Sequence, residues 1–86
     1  VCAEAAEQMA CGALDRSPAT LALAVTGVLG PEPDEDGNPV GLVFMSVCRK
    51  DGQPETVRKI YEKDDADVLR RRVTLDALDL LRTTAE

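Results

Sequence analysis

The sequence predicts an α/β fold in the order helix, strand, strand, strand, helix, and three observations predict it. Cys2, Ala6, Met9 and Ala13 recur near the start at spacings of four and three, the period of one helical face. Two apolar runs follow, Leu21 to Val25 and Gly41 to Cys48. Neither alternates strictly, which suits strands covered on both faces by helices. A second helical period closes the chain, with Ala66, Leu69, Val73, Ala77 and Leu80 on one face.

Each element has its own punctuation. The first helix is expected over residues 2–14 and ends at Asp15-Arg16-Ser17-Pro18, because the residue before a proline is pushed out of the helical region. Leu21 to Val25 reads as a central strand that runs into Thr26-Gly27. The loop from Gly30 to Pro39 holds three prolines, two glycines and four carboxylates, too punctuated for a regular element. Asp51-Gly52 signals a hairpin. The return strand is expected over residues 55–62, where Thr56, Arg58 and Lys59 suit a sheet edge.

Asp64 or Asp65 is placed to cap the last helix, which is expected to reach Leu81 or Thr83. Val68, Leu75 and Leu78 form a second ridge that one sheet would leave wet. Either a partner segment covers it or these are scattered exposed apolar residues. No repeat or linker divides the chain, so no domain boundary is expected within residues 1–86.

Composition narrows the function classes. Phe44 and Tyr61 are the only aromatic residues, so the core rests on Leu, Val, Ala, Ile and Met. The formal charge of −6 gives no footprint for nucleic-acid phosphates. No apolar run approaches membrane-spanning length. Cys2, Cys11 and Cys48 show no paired ligand spacing and histidine is absent, which argues against a structural zinc site within this chain. The three cysteines are expected to be free thiols in a reducing, cytoplasmic setting.

The chemistry-bearing candidates are few. A buried strand ending in Thr26-Gly27, with Gly30 three residues later, fits the place where open α/β sheets hold ligands. It fits a tight turn equally. Glu32, Asp34 and Asp36 alternate like a calcium loop, but Val43 stands where the closing acid belongs, so no metal is expected. Ser17, Ser46 and Cys48 have no histidine to serve as base. Arg70 borders the buried face of the last helix. It is placed either to bind an anion in a cleft or to pair with an acidic neighbour.

The combination of LALAV running into Thr26-Gly27-x-x-Gly30-Pro31, then Gly37-Asn38-Pro39-Val40-Gly41 and an apolar strand, a hairpin and an R…ALDLL helix resembles the CinA carboxyl-terminal domain family. That family includes the nicotinamide-nucleotide amidases. The resemblance covers about the second half of the family domain. It implies a three-layer α/β/α unit, often dimeric, that hydrolyses the amide of nicotinamide mononucleotide without a cofactor. The implied nucleophile is a serine in a Ser-x-Thr-Gly-Gly motif, with a tyrosine and a lysine shortly after it; none of these motifs occurs here. Thr26, Gly27, Gly30 and Pro31 would form the wall opposite that serine.

Two departures stand out. Where the family has a glycine pair after Gly-Pro, this chain has Glu32-Pro33-Asp34-Glu35-Asp36. Of two family arginines four residues apart on the last helix, the first position is Ala66 and the second is Arg70. The resemblance therefore predicts an amidase half-domain that needs its amino-terminal half, a small-molecule substrate and a homo-oligomer. The alternative is a catalytically degenerate binding or structural module. A third class is a protein-interaction domain that uses Val68, Leu75 and Leu78.

Overall fold

Helix α1 spans Ala3–Asp15, with the Cys2 side chain accepting from the Ala5 N–H at its start. Strand β1 spans Leu21–Gly27, β2 spans Leu42–Arg49, β3 spans Glu55–Ile60, and helix α2 spans Ala66–Ala85. The computed structural model describes residues 2–18, 20–30, 32–33, 35–50 and 52–85. All five predicted elements are present in the predicted order, and the helices lie on opposite faces of the sheet as a partial α/β/α sandwich.

The sheet is antiparallel in the order β1-β2-β3. Among the described residues this places β2 at the centre and β1 at an edge. Leu21, Ala22, Leu23 and Ala24 are all half-buried, and a small residue facing a close-packed helix looks the same in sequence as a fully covered one. β3 lies at the other edge, as expected.

Strand alternation divides the core in two. Val43 and Met45 of β2 meet Val73 and Ala77 of α2, with Leu23 and Tyr61 packed against them. On the other face Cys48 meets Ala10 and Leu14 of α1, beside Ala22 and Ala24. The buried stripe of α1 is thus Ala6, Ala10 and Leu14, whereas Met9 and Ala13 are exposed. The predicted stripe is displaced because α1 offers alanine on several faces.

Turns fix the register. The Val28 N–H donates to Leu42 C=O at 3.0 Å, and the Gly41 N–H donates to Val28 C=O at 2.8 Å, closing the base of the acidic loop. Gly41 has φ +97°, and a Cβ there would run into the Tyr61 carbonyl. No other residue type fits that crossing. At the hairpin, the Gly52 N–H donates to Arg49 C=O at 3.2 Å; Asp51 lies outside the described residues.

Candidate functional site

β1 and α2 enclose an open groove of about 460 Å³. Leu23, Val25 and Gly27 supply one wall, because alternate residues of β1 point to the α2 side. Val73, Ala77 and Leu78 supply the other, with Val43 at the floor and Arg70 at the rim. The lining is mainly apolar, with one cation and the Thr74 hydroxyl as its polar features. A site of this make-up suits an apolar group that carries an anionic substituent.

The four predicted site residues are only partly brought together. Gly27 and Arg70 line the same groove. Gly27 is required by packing, since a Cβ would sit 2.8 Å from Val43 Cγ2 and 3.1 Å from the Leu42 carbonyl. Thr26 shares its face with Ala22 and Ala24, so its side chain lies on the α1 side, away from the groove. Gly30 sits beyond the strand in a left-handed turn, φ +83°, against Val40. Pro31 and Asp34 lie outside the described residues.

Arg70 makes a 3.3 Å ion pair with Asp67 of its own helix, both side chains largely exposed. The neighbour-paired reading of Arg70 is therefore the one realised in this structure. Such an exposed pair is worth under about 1 kcal/mol, so the guanidinium is cheaply released to an anion in the groove. Ala66, at the first turn of α2, supplies no second cation.

Ser46 is fully buried beneath α1. Its hydroxyl shares a 3.2 Å hydrogen bond with Thr56, whose hydroxyl donates to Glu7 Oε1 at 2.7 Å. This network ties α1 to the sheet and holds Ser46 away from any solvent-borne substrate. Among the described residues no group of three or more His, Cys, Asp or Glu is placed to hold a metal ion. No helix there is long and apolar enough to cross a membrane.

Several participants escaped the sequence reading. Val25, Leu29 and Leu78 line the groove; the parity of β1 could have shown this for Val25, while Leu29 follows the strand and Leu78 belongs to α2. Away from the groove, Tyr61 donates to Asp76 Oδ2 at 2.5 Å and Lys59 lies 3.4 Å from the same oxygen. Burial, then the bond to Asp76, pushes the Tyr61 phenol well above its ordinary range. The Tyr61 bond and the nearby Lys59 charge hold Asp76 below the usual carboxylate value, against the opposing effect of burial. Nothing in local spacing announces this cluster, which depends on how α2 crosses β3.

A family model described as the CinA C-terminal domain matches residues 1–85. A CinA-like protein of Geobacter metallireducens is 38% identical over 82 residues, which are 95% of this chain and 19% of that protein. A CinA-like protein of a Mycobacterium species, strain JLS, is 43% identical over 77 residues, 90% of this chain and 18% of that protein. The crystal structure of the competence/damage inducible protein CihA from Agrobacterium tumefaciens superposes with a TM-score of 0.91 at 34% identity, covering 100% of this chain and 52% of that one. A competence damage-inducible protein A from Klebsiella pneumoniae gives 0.81 at 34% identity, covering 88% and 46%. This chain therefore spans about half of these solved structures and about a fifth of the curated relatives. With residues 1–85 of the chain matched by the family model and the fold shared throughout, the chain belongs to the CinA C-terminal domain family.

Proposed function

We propose that this chain is the ligand-binding and structural half of a CinA-type domain, and that any reactive group comes from outside residues 1–86. The observation that carries this reading is the groove between β1 and α2, apolar along its walls with Arg70 at its rim. The placement of Ser46 under α1 supports it, because the strand serine is spoken for by Thr56 and Glu7. The partner is the segment corresponding to the other half of the solved relatives, which pairs at the β1 edge. The ligand is a small molecule with an apolar part and an anionic part. The same proposal includes a homo-oligomer in the cytoplasm and invokes no cofactor.

A second reading is the nicotinamide-nucleotide amidase, favoured by family membership and by the Thr26-Gly27-x-x-Gly30 segment. In it, a serine from the other half attacks the carboxamide carbon, ammonia leaves, and water releases the acid from the acyl-enzyme. Ala66 and the acidic loop after Gly30 favour the binding module instead. Both positions depart from the family pattern on which the amidase reading rests.

The test uses the protein containing this chain together with the rest of its domain. Nicotinamide mononucleotide is titrated by calorimetry, and ammonia release is followed on the same sample. Binding without ammonia is the expected outcome. Binding with ammonia establishes the amidase. Absence of both contradicts the groove as a nucleotide site.

A further inference from the structure

We propose that Cys11 and Cys48 form a reversible disulfide that staples α1 to the centre of the sheet. Cys11 lies on α1 and Cys48 on β2, and their sulfurs are 2.8 Å apart. That is well inside the ordinary contact distance of two sulfur atoms and about 0.8 Å beyond an S–S bond. The two residues are 37 positions apart, so their meeting is a product of the fold and not of local chain geometry. The Cys11 thiol donates to Cys48, which in turn points at the Arg49 carbonyl at 3.8 Å. Ala10, Leu14, Ala22 and Ala24 surround the pair with apolar surface.

Accessibility sets the order of events. Cys11 is half-exposed and Cys48 is buried, so an oxidant reaches Cys11 first. The co-reactant is a small disulfide such as oxidised glutathione. The Cys11 thiolate attacks one of its sulfurs, forming a mixed disulfide and expelling one glutathione thiolate. Cys48 loses its proton and attacks the Cys11 sulfur, expelling the second. Two protein thiols are oxidised, one small disulfide is reduced to two thiols, and the two protons pass to the leaving groups. The first step is slow at neutral pH. The hydrogen bond with Cys48, burial, and the charges of Cys48, Asp15 and Glu7 push the Cys11 thiol up to about 11.

The closed loop contains all of β1, Gly27, Gly30 and the acidic loop. Oxidation would therefore close a loop that includes the β1 wall of the groove without adding a group to the groove itself. This inference is independent of the function proposed above, because it rests on the α1 face of the sheet. Cys2, exposed at the helix start, is the built-in control.

The experiment exposes the folded protein to oxidised glutathione at pH 8.5, quenches with acid, and alkylates with N-ethylmaleimide after unfolding. The expected product carries one N-ethylmaleimide in this chain, at Cys2, is otherwise two hydrogens lighter than the reduced protein, and yields a peptide joining Cys11 to Cys48. Its Tm rises by about 10 °C and falls back with dithiothreitol. Cys11→Ser, a change at the half-exposed partner, is expected to fold, give no cross-link and show no redox-dependent Tm. Stable glutathione adducts at Cys11, a pairing through Cys2, or a cross-link that leaves Tm unchanged would overturn the proposal.

Discussion

Tyr61 donates its phenolic proton to Asp76, which also faces Lys59, and this small cluster pins the segment after β3 to the middle of α2. Asp76 has a depressed folded pKa. Its contribution is therefore present above the unfolded carboxylate value and is lost as pH falls through the folded one. Tyr61 has a raised pKa, so its contribution is present below the unfolded phenol value and lost only as pH rises through the folded one. Asp76 is 39% exposed, which screens the charge. After that discount, Tyr61→Phe is expected to cost about 1 kcal/mol at pH 7. The cost should shrink toward acid, at roughly pH 2, as protonation of Asp76 sets in. Urea denaturation at the two pH values checks this, and an equal cost at both would remove the ionised Asp76 from the explanation. Tyr61 was legible in the sequence only as one of two rings, because its partner lies 15 residues away on another element.

Helix α2 shows what spacing can and cannot reveal about an element. Leu69, Val73 and Ala77 are buried and Leu80 is half-buried, as the helical period predicts. Of the second ridge, Leu75 and Leu78 are exposed at 62% and 55% while Val68 is half-buried. Val73→Ala removes two methyl groups from the α2–β2 core and should cost about 2 kcal/mol. Leu78→Ser should change stability by less than about 0.5 kcal/mol. Chemical denaturation of both variants compares them, and a Leu78 cost as large as that of Val73 would mean that the ridge is already covered by a second copy. In α1 the same reasoning picked the wrong stripe, because alanine on several faces leaves the period without contrast. Pattern reading works where large and charged residues alternate around a helix, and fails where alanine lies on several faces.

At the scale of the molecule, the element order was legible and the strand order was not. Unbroken apolar runs say that a strand is covered, but they do not say whether a neighbour lies on both of its edges. β1 ends at the edge of the sheet, with Val25 38% exposed beside the groove. The Agrobacterium structure shares the whole of this fold and continues for about as much chain again. The candidate site was half legible. Gly27 and Arg70 face one groove, while strand parity turns Thr26 to the α1 side. The most direct test is the affinity for nicotinamide mononucleotide, measured by calorimetry on the protein with its domain complete, for wild type, Arg70→Gln and Thr26→Val. Loss of one charge-assisted contact should weaken binding by roughly tenfold or more in Arg70→Gln with Tm unchanged, and Thr26→Val should bind as wild type does. Full affinity in Arg70→Gln with binding lost in Thr26→Val would place the ligand on the α1 face and contradict the groove.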